Sequence, residues 1–307
     1  MTSSNNRPVL VGVDGLPGSA GALRYAVVEA RRRHTALHLL HVVPSLLSLG
    51  PATPMVDLQR IGAELLADAE RTVHEQAPDL EVHTVLTRGE RTTGIVRAAG
   101  AAQLLVVGRE SRRGIERLLT GTATASVAAH APCDVVVVPS FWVDADTHRR
   151  VVVGIKTGRD THELLNQAFT EAAARGASVR LVTAWHLADP YFDSIEVRTH
   201  AEEWQLRGTE RLVEISADWR TTYPDVPVET RVVHGPAARM LLRESADSDL
   251  MVISRRRFAL PPYGQLGGVG HDLLRLSDVP VHVVPYVADL PAVDEELVLE
   301  EAGAPLK

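Results

Sequence analysis

The chain has 307 residues, 45% apolar and 23% charged, with a formal net charge of −7. That length has room for two ordinary domains. The acidic balance argues against nucleic acid as the partner, and no apolar run approaches the ~18 residues needed to cross a bilayer. Cys133 is the single cysteine, which removes an internal disulfide and a thiolate metal cluster. The first residues, MTSSNNRPVL, lack a charged-then-apolar leader pattern, so the expected compartment is the cytoplasm.

In chain order, short apolar runs alternate with amphipathic stretches. PVLVGVD (8–14), LHLLHVV (37–43), LEVHTVL (80–86), AQLLVVG (102–108) and DVVVVP (134–139) read as strands, with helical stretches near 18–33, 57–77, 91–100 and 121–130. The near-continuous valines of the first, fourth and fifth runs predict burial on both faces, as in a parallel sheet. The second half repeats the order with RRVVVGI (149–155), ASVRLVTAW (177–185), VPVETRVVH (226–234), SDLMVIS (248–254) and VPVHVVP (279–285). PVLVGVDGLPGS (8–19) matches RVVVGIKTGRDT (150–161), and TRGERTTGIVRAA (87–99) matches VHGPAARMLLRES (233–245). A repeat this regular predicts an α/β protein of two tandem doubly wound five-stranded parallel-sheet domains. Their expected bounds are 1–143 and 147–287, meeting in FWVDADTHR (141–149), with an acidic tail over 288–307.

In such sheets ligands sit beyond the carboxyl ends of the strands. Three segments of the first half converge there: VDGLPGSAG, HVVP and GRESRRGIERLLTGT. Asp14 supplies a carboxylate that accepts hydrogen bonds from sugar hydroxyls. Gly108 and Gly121 admit close backbone approach. Gly121 and Thr122 open a helix whose free N–H groups attract an anion, with Arg109, Arg112 and Arg113 adding charge. The plainer readings are a helix-cap role for Asp14, a cap role for Thr122 and a solvated loop face for the arginines. A P-loop and a dinucleotide fingerprint are both absent. No metal pattern and no nucleophile triad can be placed.

VGVDG, LLHVV, the closing HAPCDVVVVP and the spacing G-x2-G-x9-G-(S or T) make the first half resemble a universal stress protein domain. The second half resembles the same family more loosely, so the likeness covers about 8–286. The resemblance implies strand order 3-2-1-4-5 and a site for ATP or another adenine nucleotide, with Mg2+ only as the nucleotide's counter-ion. Carried over by position, Val42 meets the adenine, Asp14 the ribose, and Gly108, Gly121 and Thr122 the phosphates. Ser111 stands where the pattern has its second glycine. If that position is left-handed, a side chain there costs about 1–2 kcal/mol.

The second half has Lys156 for Asp14, and Ser254 and Arg257 for the first two glycines, so its site is expected not to take ATP. The resemblance also implies that the fifth strands pair, 134–138 against 281–285, which would cover two sticky edges and make the halves a pseudo-twofold internal dimer. The reading is a cytoplasmic adenine-nucleotide-binding module in the stress response, signalling to a protein partner not named by the sequence. A homodimer of the whole chain stays open. The rival readings are a slow ATPase and a nucleotide-free scaffold or chaperone-like protein.

Overall fold

The computed structural model describes residues 7–44, 57–109, 121–144, 148–156, 161–255 and 265–285. Among them the first half runs β1 (Val9–Gly12), α1 (Pro17–Arg32), β2 (Leu37–Val43), α2 (Leu58–Gln76), β3 (Val82–Arg88), α3 (Arg91–Ala99), β4 (Leu104–Arg109), α4 (Gly121–His130) and β5 (Asp134–Pro139). The second half runs β6 (Arg150–Gly154), α5 (His162–Arg175), β7 (Ser178–Trp185), α6 (Pro190–Thr222), β8 (Val228–His234), α7 (Ala237–Glu244), β9 (Leu250–Ser254), α8 (Gly267–Leu276) and β10 (Val281–Val284). The helix boundaries follow local chemistry. Pro17 opens α1 with its φ already set. The Asp189 carboxylate accepts the N–H groups of Tyr191 and Phe192 to start α6. Gly176 closes α5 in the left-handed region, at φ 58°.

The ten strands form one sheet in the order β3-β2-β1-β4-β5-β10-β9-β6-β7-β8. Each half has the 3-2-1-4-5 order expected of it, and every pairing is parallel except the one that joins the halves. There β5 meets β10 antiparallel, Val135 opposite Val283, Val136 opposite His282 and Val137 opposite Val281. The edges that would otherwise recruit foreign strands are thereby consumed inside the chain. Val136 and His282 mark the pseudo-twofold axis.

The two sheet faces are packed differently. Beneath α3, α4, α7 and α8 a single apolar core runs across both halves, taking in Val135, Val137, Val281 and Val283. On the opposite face each half keeps its own core, under α1 and α2 or under α5 and α6. Between those two cores α1 and α5 exchange charge. Arg175 donates to Glu29 at 2.6 Å and Arg33 pairs with Glu171, while each arginine also bridges the glutamate one turn back on its own helix. Glu29 is 1% exposed and Glu171 3%. Burial opposes charge on Glu29, yet the guanidiniums of Arg175, Arg32 and Arg33 outweigh it and hold the carboxyl below its usual range.

Cys133 is half-buried, and burial pushes its thiol up to about 11, as expected of a packing residue with little thiolate. Trp204 stacks on Trp185 and Trp219 lies against Phe169, so both serve in packing. Among the described residues no helix is long and apolar enough to cross a membrane, and no three His, Cys, Asp or Glu side chains are grouped to hold a metal ion.

Candidate functional site

β1 ends at Gly12 while its neighbour β2 continues to Val43. Val13 N–H still donates to the Leu40 carbonyl, so the peptide groups of Leu40 face β1. By the alternation of a strand, those of Val42 face the same way, into a gap that β1 has vacated. A cleft of about 410 Å³ opens at this edge. Its floor is Gly12, Leu40, Val42 and Val107, one wall is Arg91, Thr92 and Ile95 of α3, and the other is Ala123, Thr124 and Val127 of α4. The turn carrying Asp14, Gly18 and Ser19 closes its rim.

Three of the expected site residues, Asp14, Val42 and Gly108, therefore line one cavity. The Asp14 carboxylate accepts the Leu16 N–H at 3.0 Å through Oδ1, a local turn in which Oδ2 keeps no partner among the described residues. Asp14 thus forms a turn ahead of α1 rather than capping it, the N-cap being Leu16 with no side-chain cap bond. Gly108 has a reason to be glycine that involves no ligand. A Cβ there would stand 2.4 Å from the Gly18 carbonyl oxygen, so β4 and the α1 turn meet only because the side chain is missing. Gly121 and Thr122 begin α4 at the cleft's β4 end; the placement of the Thr122 side chain, and the whole of Ser111, Arg112 and Arg113, lie outside the described residues.

Arg109 is a correction. Its guanidinium does not line the cleft but donates to the carbonyls of Arg275 and Ser277, at the end of α8 in the other half. Arg255, its counterpart after β9, does the reciprocal thing, donating to the carbonyls of Ala131 at 2.6 Å and Cys133 at 3.1 Å. Carbonyls left over at a helix end are natural acceptors for a cation. The two arginines are cross-braces of the internal dimer. Each holds backbone carbonyls at the end of a helix in the opposite half.

Sequence reasoning missed the α3 wall. Glu90 caps that helix, taking the N–H groups of Thr93 at 2.7 Å and Thr92 at 2.9 Å, and those bonds draw its carboxyl down to about 2. The signal was available, because β3 also delivers its carboxyl end to this rim. Thr124, one turn into α4 with its hydroxyl 3.5 Å from the Gly108 carbonyl, was missed too.

The second half has the same edge with the space filled. Gly154 stands where Gly12 does, and a Cβ there would meet Leu241 of α7 at 3.1 Å; at Gly12 it would meet only Val107, at 4.0 Å. Leu241 is 6% exposed and joins the shared core, whereas Ile95, at the matching place on α3, is only half-buried and walls an open cleft. Leu266 is likewise buried, pressed on Gly270 of α8.

A twice-repeated doubly wound parallel α/β unit, joined through its fifth strands and carrying an open cleft at a strand-carboxyl edge of its first copy, defines a tandem α/β protein. The family model described as universal stress protein family matches it twice, over residues 5–139 and 147–285. The chain belongs to the universal stress protein family. A universal stress protein of Mycobacterium tuberculosis is 31% identical over 291 residues, covering 90% of this chain and 96% of its own. One from Mycolicibacterium smegmatis is 28% identical, covering 92% and 98%. The crystal structure of a universal stress protein from Archaeoglobus fulgidus superposes with TM-score 0.64 at 17% identity, over 92% of this chain and 99% of that one.

Proposed function

We propose that the first half binds an adenine nucleotide, ATP in the first instance, in the cleft between α3 and α4, and that occupancy is what the protein reports to a partner in the stress response. The observation that carries this reading is the pairing of one open cleft with one filled one. The open edge keeps a carboxylate for sugar hydroxyls, an apolar floor for a flat base and a helix start for phosphate. The filled edge has Lys156, which has no acceptor to offer a sugar hydroxyl. Mg2+ enters only as the nucleotide's counter-ion.

The test is equilibrium binding of ATP, AMP and cyclic AMP to the full chain and to Asp14→Ala. The expected result is binding by wild type and a loss of about tenfold or more in the variant, the worth of a hydrogen bond to a charged group. Failure of every nucleotide would return the scaffold reading, and phosphate release at stoichiometric protein would return the ATPase.

A further inference from the structure

Among the described residues, Asp14 and Arg91 are the carboxylate and guanidinium side chains lining the open cleft, since Arg109 is committed to the other half. Arg91 is exposed at the first position of α3 and has no ion pair among the described residues. Its neighbour Glu90 is fully engaged in capping Thr92 and Thr93. The helix is pressed on the strand-two end of the cleft, because a Cβ at Gly94 would come within 2.9 Å of Val42 Cγ1. Arg91, Gly94 and Ile95 share one helical face, three and four residues apart. Arg91 therefore overhangs the gap that Val42 faces, away from the α4 start. The second half has Ala237 at this place, beside its closed edge.

We propose that Arg91 is the base-gripping residue of the cleft: its planar guanidinium closes over the outer face of a base whose inner face lies on Val42 and Ile95, and so favours purine over pyrimidine nucleotides. This deepens the nucleotide reading and rests on it. A guanidinium stacks on π-faces and is only weakly hydrated, so it gives up little water in doing so. The larger purine ring offers it more area than a pyrimidine does. An ammonium at the same place keeps the charge but loses the plane.

The test is equilibrium binding of ATP, AMP and CTP to wild type, Arg91→Ala and Arg91→Lys, with thermal melts of each to confirm the fold. Arg91→Ala is expected to weaken ATP and AMP by the same factor, about tenfold. Lysine should fail to restore either, and the preference for ATP over CTP should shrink in both variants. A loss much greater for ATP than for AMP, or full rescue by lysine, would make Arg91 a phosphate contact and overturn the proposal. Wild-type binding that Arg91→Ala leaves unchanged would overturn it alone, whereas wild type that takes no nucleotide would overturn it together with the reading beneath it.

Discussion

Gly12 and Gly154 occupy the same place in two copies of one fold, and what stands above them separates the copies. Above Gly12 lies open space bounded by Arg91, Thr92 and Ile95. Above Gly154 lies Leu241, which belongs to the core shared by both halves. At this edge the second copy has packing where the first has open space, on the face where the halves share apolar contacts. The lesson is that two copies of one fold can differ at this edge by a helix side chain as well as by loop glycines: Leu241 takes the room that lies open above Gly12.

The comparison can be broken most severely by exchanging the fillings. Leu241→Ala should destabilise the chain by about 2–5 kcal/mol, the usual range for emptying such a core position. It should still not create a second nucleotide site, since Lys156 remains where a sugar anchor is needed. Chemical denaturation and a binding titration read the two effects, and a gained second site would show that filling alone silenced the edge. The converse change, Gly12→Leu, places a side chain in open space, so it should fold and abolish nucleotide binding.

Comparable in size is the charge exchange that joins the halves. Removing one member of the buried Glu29, Arg33, Glu171 and Arg175 set strands its partner, so Arg175→Ala should cost about 3–5 kcal/mol. Because the Glu29 carboxyl is held below its usual range in the folded state, its contribution is present above the ordinary carboxylate range and is lost as pH falls through the lowered value. Acid denaturation of Glu29→Gln should accordingly be shallower than that of wild type, and an unchanged acid limb would refute this.

A smaller effect separates the arginines. Arg109→Ala should loosen the pairing of the halves while leaving nucleotide affinity within about twofold, because its guanidinium holds the end of α8 rather than the cleft. A large loss of affinity with unchanged stability would restore its expected place at the phosphates. The smallest effect concerns α3. Glu90, brought down to about 2 by the Thr93 and Thr92 N–H groups, should cap the helix at any pH above its ordinary range, near 4.5, and release it as pH approaches 2. Hydrogen exchange at Thr92 and Thr93, compared with Glu90→Ala, reads that step.

The fold was legible because two periodicities agreed. Valine-rich runs marked buried strands, and the repeat of PVLVGVDG as RVVVGIKT marked the first strand of the second half. The edge-strand argument, with the family resemblance supplying the pairing, led to 134–138 against 281–285, and the structure adds the register, Val136 opposite His282. At the site, Asp14, Val42 and Gly108 were legible as strand-end residues, and the structure brings them together. Arg109 was not, because a basic residue after a glycine reads the same whether it meets a phosphate or a helix end from the other half. Arg91 and Leu241 were hidden for a related reason. Each lies on a helix wall, and only the packing of α3 and α7 on the sheet tells an open wall from a closed one. Gly108 lines the cleft, yet its own chain already demands the glycine, since a Cβ there would stand 2.4 Å from the Gly18 carbonyl oxygen.

The account stands most directly on the stoichiometry of nucleotide binding to the intact chain. Calorimetric titration with ATP should give one site per chain, abolished by Gly12→Leu and untouched by Lys156→Ala. Two sites, none, or a single site that survives Gly12→Leu and disappears with Lys156→Ala would contradict it.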